Sequence, residues 1–351
     1  MTKHLGYLLG ITAMAILASL WGGPAAAHGV TLKVHHALPA DSPFHTQFLV
    51  AWAEKVESES AGRLRIQLFP ALGMGGGAAQ LFDQVKDGAA DLAWIAAADT
   101  PARFPAFEAF ELSFATNGAQ GASRALWEYA RVNDLASKEF RGVRLLAVAQ
   151  HGTPQLHLRS HPVRSLADLA GLKIGSISRA TSTLLAAAKA NPVETSSDRL
   201  REALSKGELD GVALPWEAVT ALAIGELLKH HTEADAQSPW LGSGVYVLAM
   251  NPATYKSLPD DLRKVIGANS GAETSAWIGK VFDASAASAR KLAADRGDGF
   301  DTLPATDLAK WKAPAQTVVA DRIKDLDQRG LKGEQLVESA RASLVQYGTV
   351  K

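Results

Sequence analysis

The residues best placed to do chemistry in this chain are aromatic, and the chemistry they suggest is binding rather than bond-making. Trp94 falls near the end of the apolar run Asp91–Ala96, and Pro215-Trp216-Glu217 directly follows Gly211–Leu214. Trp240 and Tyr246 flank the start of a further run that closes at Met250. In open α/β sheets ligands sit beyond the carboxyl ends of strands, where a tryptophan can stack on or enclose a solute. Each of these rings could equally fill core.

Reactive constellations are missing. The chain has no cysteine, which removes disulfides, thiolate nucleophiles, zinc fingers and iron–sulfur clusters together. There is no Gly-x-Ser-x-Gly elbow and no His-Glu-x-x-His pair. Of the ten histidines, His35 and His36 are neighbours on a predicted strand and point to opposite faces, which is poor geometry for chelating one metal. Lys229-His230-His231 reads as a basic helix end, with His231 as a C-terminal cap. Gly73-Met74-Gly75-Gly76-Gly77 superficially resembles a phosphate loop. No Gly-Lys-Ser/Thr follows it and Ala78 stands where a third spaced glycine belongs, so a structural turn is the better reading.

The elements that must position these residues alternate. Thr31–His36, Leu64–Phe69, Asp91–Ala96, Val143–Ala149, Leu172–Ile177, Gly211–Leu214 and Tyr246–Met250 read as short strands. Helices are predicted from Ser42-Pro43, a capping hydroxyl before a proline, and over 78–86, 182–189 and 197–205. Phe48, Leu49, Trp52 and Val56 share one helical face. From Pro259 a single long helical rhythm runs through Leu262, Ile266, Trp277, Ile278 and Phe282 into the Ala-rich segment 284–294, long enough to brace two domains. The tail 305–349 is charged and helical, with Leu308, Trp311, Val318 and Ile323 on its core face. Alternation on this spacing predicts an α/β protein with largely parallel sheets.

The chain has 351 residues, with 36 Lys+Arg against 36 Asp+Glu and 47% hydrophobic residues. That length suggests two domains, and the charge balance argues against nucleic-acid binding. Lys3, the apolar run from Leu5 to about Leu20, Gly22-Gly23-Pro24 and Ala25-Ala26-Ala27 make the three-part pattern of a secretory signal peptide over residues 1–27. The run is short for a membrane span, so the expected product is an exported, soluble, periplasmic chain starting at His28. A histidine at the N-terminus could bind copper through its amine and imidazole. An exported copper enzyme is therefore an alternative, although no second histidine stands in a recognisable motif.

Over most of its length the mature chain resembles the DctP-type solute-binding proteins of TRAP (tripartite ATP-independent periplasmic) transporters. The resemblance rests on Leu32-Lys33-Val34, His36-Ala37-Leu38-Pro39, Gly62-Arg63-Leu64, Phe69-Pro70 and Leu72-Gly73. It continues through Asp87-Gly88, Phe104-Pro105, Phe110-Glu111-Leu112-Ser113-Phe114 and, most strongly, Pro162–Ile174. Asn191-Pro192-Val193, Ala203–Gly211 and Leu258–Leu262 complete it in the same order and spacing.

The resemblance implies a two-lobed periplasmic binding protein fold (type II-like), braced by a long helix, that closes on one solute. The lobes are expected over 28–150 with about 241–285, and over 151–240 with about 286–351. It further implies no catalysis, no cofactor, and delivery of a small organic solute to TRAP membrane permease subunits, with an ABC importer as an alternative partner. Three positions depart from the family's carboxylate contacts: Gly175 and Pro154 replace arginines, and Leu214 replaces an asparagine. Arg179, which resembles the second arginine of an Arg-Gly-Pro-Thr-Arg element, is the remaining cation. The expected ligand-binding set is His36, Trp94, His151, Arg179, Leu214, Trp216 and Glu217. The expected solute is apolar or aromatic, with a monocarboxylate held by Arg179 as one form of it, since a buried carboxylate needs a paired cation.

Overall fold

The computed structural model describes residues 29–100, 103–111, 118–195, 197–234 and 241–348. The signal segment, His28, Leu112-Ser113-Phe114 and Trp240 lie outside the described residues.

The chain builds two sheets. The first takes β1 (Val30–His35), β2 (Leu64–Phe69), β3 (Leu92–Ala96), β4 (Arg144–Gln150) and β10 (Val245–Met250), in the order β2-β1-β3-β10-β4. The second takes β5 (Gln155–Leu158), β6 (Lys173–Ser176), β7 (Asn191–Glu194), β8 (Gly211–Leu214), β9 (His230–Glu233) and β11 (Gly299–Thr302), in the order β11-β9-β5-β8-β6-β7. Both sheets are mixed. β1 is parallel to β2 and β3, but β10 returns antiparallel between β3 and β4. In the second sheet β5 runs antiparallel to both neighbours, β8 and β9. Each sheet therefore runs parallel except for one inserted antiparallel strand, β10 in the first and β5 in the second, in keeping with the largely parallel expectation.

Both faces of each sheet are covered, and the period-2 direction of strand side chains decides which core each residue enters. Leu92 and Trp94 of β3 pack with Trp52, Phe48 and Ile278, while Ala93 and Ile95 pack with Phe82, Phe107 and Tyr129. In β8, Ala213 joins Leu156, Ile174 and Trp311 on one face, and Val212 and Leu214 join Leu200 and Leu209 on the other.

The long helical rhythm is two helices, Asp260–Ala268 and Ala272–Asp295. The break falls at Asn269–Gly271: Trp52 Nε1 donates to the Asn269 carbonyl at 2.9 Å, and Gly271 takes φ 90°. That left-handed conformation favours glycine. The second helix spans the molecule. Near its start Gly279 lets it approach the helix Ala119–Val132 so closely that a Cβ would sit 2.3 Å from the Ala119 carbonyl oxygen. Asp283 accepts from the Ala119 and Gln120 N–H groups at 2.8 and 3.0 Å. Further along, Ala289 and Ala293 pack against Trp216 of the second lobe.

Two expectations are corrected here. His230 and His231 do not end a helix. They lie in β9, where His231 pairs with His157 across the sheet, Nδ1 to Nδ1 at 2.9 Å. The short turn Gly225–Leu227 precedes them, and the polar Lys-His-His sequence disguises a strand whose two central residues, His231 and Thr232, are buried. The tail also does not stay in the second lobe. Leu308 and Trp311 do pack there, but the terminal helix Gly333–Tyr347 returns to the first core through Leu336, Val337, Ala340 and Leu344.

Candidate functional site

The parallel strands β3 and β6 end facing one another across the space between the sheets. After β3 the turn Ala97–Asp99 lines this space, and after β6 come Ile177, Ser178 and Arg179. Gly77, Ala78 and Ala79, at the end of the glycine-rich segment, form a further side. The resulting cleft is about 430 Å³. Deeper in lies a second cavity of about 50 Å³, walled by Ala37, Leu38, Phe44, Trp94, His151, Glu217, Tyr246, Phe282 and Ser285. Asp99 and Ile177 line both, so the cavity adjoins the cleft.

The inner walls are aromatic and fixed by one another. Trp94 stacks on Phe44 at 4.3 Å between centroids and on Tyr246 at 5.4 Å, while His151 stacks on Phe282 at 4.4 Å. His151 Nδ1 and the Gly152 N–H both donate to Glu217 Oε1 at 2.8 Å. Burial raises the Tyr246 hydroxyl well above the ordinary tyrosine value, keeping it neutral.

The outer cleft sets one cation among four acidic residues, Asp99, Glu108, Glu111 and Glu194. Glu108 is ion-paired with Arg322. Burial pushes the Glu111 carboxyl up to about 8, so it is uncharged at neutral pH. Arg179, at the start of the helix Arg179–Ala187, is exposed, and among the described residues lining the cleft it is the single cation. Ser178 caps that helix by accepting from the Thr181 N–H at 3.4 Å, which fixes where Arg179 emerges.

The segments that connect the lobes are tied together behind the cavity. The Ser243 hydroxyl donates to the His151 carbonyl at 2.6 Å, and the His151 N–H donates to the Gly244 carbonyl at 3.1 Å. Thr181 Oγ1 donates to the Gly242 carbonyl at 2.9 Å.

Of the expected set, the structure brings Trp94, His151, Arg179 and Glu217 to the cleft and its cavity. It does not bring the other three. His36 sits behind the wall, its Nε2 2.9 Å from His45 Nδ1, with its pKa lowered to about 3 chiefly by burial. Leu214 is wholly buried in the second core, and its carbonyl accepts from His157 Nε2 at 3.0 Å. Trp216 packs among His157, His231 and Phe300, and its indole N–H donates to Glu233 at 2.8 Å. The next residue, Glu217, turns inward, as do Ala218, Ala221 and Leu222 beyond it.

Sequence reasoning missed Phe44, Ile177, Phe282 and Ser285 as wall residues. Phe282 and Ser285 are three apart on one helix and so share a face. A hydroxyl on the apolar face of an Ala-rich helix was the available signal. Among the described residues no group of three or more His, Asp or Glu is placed to hold a metal ion, and no helix is long and apolar enough to cross a membrane.

Two lobes meeting over an aromatic cavity define a solute-binding protein. The chain belongs to the bacterial extracellular solute-binding protein family 7 (DctP), whose pattern matches residues 34–325. Its fold is that of the TRAP transporter solute-binding proteins. It superposes with a TM-score of 0.87 on one from Rhodoferax ferrireducens T118 in complex with copurified benzoate, at 38% identity over 91% of this chain and 98% of that one. An aromatic-acid-specific TRAP protein from an unidentified marine microbe, with 3-hydroxybenzoate bound, gives 0.87 and 36%, over 92% and 99%. One from Bordetella bronchiseptica with bound (R)- and (S)-mandelate gives 0.82 and 25%, over 90% and 99%.

Proposed function

We propose that the protein captures an aromatic monocarboxylate in the periplasm and passes it unchanged to the membrane subunits of a TRAP transporter. The observation that carries this reading is the aromatic cavity of Phe44, Trp94, Tyr246 and Phe282 opening towards a cleft whose lining holds one cation, Arg179. The ring lies in the cleft against the aromatic wall where the cavity opens, the cavity of about 50 Å³ having room only for a ring substituent, and the carboxylate faces the guanidinium, whose planar fork matches it. The aromatic acids bound by the similar proteins support the same class. A C4-dicarboxylate fits poorly, because its second carboxylate would meet aromatic walls with no second cation.

Calorimetry with benzoate, 3-hydroxybenzoate, mandelate, succinate and malate tests this. The aromatic acids should bind and raise thermal stability by mass action, about 2.7 kcal/mol at a hundredfold excess over Kd. Tight succinate or malate binding with none of the aromatic acids would overturn it.

A further inference from the structure

Three polar atoms in the aromatic cavity are left without partners. Glu217 Oε1 already accepts from His151 and Gly152, but Glu217 Oε2 is buried with no hydrogen bond. Trp94 Nε1 and Ser285 Oγ are likewise buried and unpaired. The three residues are 3%, 3% and 4% exposed and line one cavity of about 50 Å³. Buried polar atoms without partners are uncommon in folded proteins and call for an explanation. Here the set is chemically varied: a carboxylate acceptor, an indole donor and a hydroxyl that can do either. An apolar ring alone would satisfy none of them.

We propose that Glu217 Oε2, Ser285 Oγ and Trp94 Nε1 form a polar subsite that reads a hydroxyl group on the ring of the aromatic acid. This rests on the aromatic-acid reading and specifies the substrate class within it. A phenolic hydroxyl donates one hydrogen bond and accepts others. It donates to Glu217 Oε2 and accepts from the Trp94 indole N–H, with Ser285 completing the set. A ring lacking the hydroxyl leaves the carboxylate oxygen facing hydrocarbon or traps a water beside it. A site built to hydrogen-bond a substrate hydroxyl discriminates strongly against the analogue without it, more so than an apolar pocket discriminates by shape.

The test is isothermal calorimetry of the full-length mature protein with benzoate, 3-hydroxybenzoate and 4-hydroxybenzoate, repeated on Ser285→Ala and Glu217→Gln. In the wild type at least one hydroxybenzoate should bind tenfold or more tightly than benzoate. The ratio of hydroxybenzoate to benzoate affinity should fall at least threefold in each variant, Ser285→Ala serving as the variant that keeps the Glu217 contacts to His151 and Gly152. Equal affinity for benzoate and both hydroxybenzoates in the wild type would overturn the subsite while leaving the aromatic-acid reading intact. A wild-type preference that persists unchanged in both variants would also overturn it. If none of the three acids binds, the aromatic-acid reading itself fails and the subsite falls with it.

Discussion

His151 and Glu217 face each other across the junction of the two lobes, 2.8 Å apart through Nδ1 and Oε1. His151 follows β4 of the first sheet, and Glu217 lies in the helix Trp216–Ala221 that follows β8 of the second. Both are buried, and the Gly152 N–H shares the same carboxylate oxygen. The pair thus fixes the back of the cavity. His151→Ala should remove a donor from a buried carboxylate and a ring from Phe282. We expect a loss of about 1–3 kcal/mol in urea unfolding of the ligand-free protein. A loss within error would show that the pair does not hold the junction.

Arg179 is exposed and has no side-chain partner among the described residues, so removing it should not disturb the fold. Arg179→Ala should weaken binding of benzoate or a hydroxybenzoate by tenfold or more, about 1.4 kcal/mol or above, with the ligand-free melting temperature unchanged. Arg179→Lys should restore part of the affinity, since a point charge cannot reproduce the two parallel hydrogen bonds of a guanidinium. Normal affinity in Arg179→Ala would place the carboxylate elsewhere.

Trp216 behaves differently because its ring lies in a core rather than at the cavity. It packs on Ala289 and Ala293 of the long helix and on Phe300 of β11. Its N–H donates to Glu233, which also takes Arg290 of that helix at 2.9 Å. Trp216→Ala should cost about 3–5 kcal/mol of folding stability, read by denaturant titration. Any effect on solute affinity measured well below the melting point should be small by comparison with that of Arg179→Ala.

The contrast between Trp216 and Glu217 shows what was legible in the sequence. Strands with clear apolar runs, such as β3 and β8, were readable from their pattern, and their carboxyl ends indicated where a solute would sit. The direction of a single side chain one residue beyond a strand was not, because it depends on the helix that starts there. β5 and β9 were missed for a related reason: Gln155-Leu156-His157-Leu158 and His230-His231-Thr232-Glu233 bury histidines that satisfy each other, and a buried polar pair has no hydrophobic signature. The return of the terminal helix to the first lobe was invisible because an amphipathic face does not specify which core it joins.

Gly175, where the resemblance places a missing arginine, explains that absence structurally. A Cβ built there would lie 2.8 Å from Leu209 Cδ1, 2.9 Å from Leu200 Cδ2 and 3.3 Å from Val212 Cγ1. Leucines fill the volume, so the arginine cannot simply be restored. Gly175→Arg should strongly destabilise the protein, by several kcal/mol through overpacking and a buried charge, rather than create succinate binding. A stable Gly175→Arg protein that binds succinate would show that this core yields.

Glu111 gives the site a pH dependence whose sign can be worked out. Its carboxyl is raised by burial from an ordinary value of 4.5 to about 8. Between those values the folded protein holds a proton that the unfolded chain has released. Stability from this group is therefore complete below pH 4.5 and is lost as pH rises towards 8, by about 1.4 kcal/mol per pH unit at most. Glu111→Gln, which stays neutral at every pH, should gain stability relative to the wild type steadily from pH 5 to pH 8. The same ionisation acts on binding. Glu111 lines the cleft with Arg179, so its carboxylate, once formed, repels an anionic solute and competes for the guanidinium. Affinity for benzoate should fall between pH 7 and pH 9, although benzoate and Arg179 do not change charge over that range. In Glu111→Gln that fall should disappear, and calorimetry at pH 6.5, 7.5 and 8.5 separates the two proteins. A wild-type affinity that is flat over this range would mean that Glu111 stays neutral throughout, or that the carboxylate binds beyond its reach.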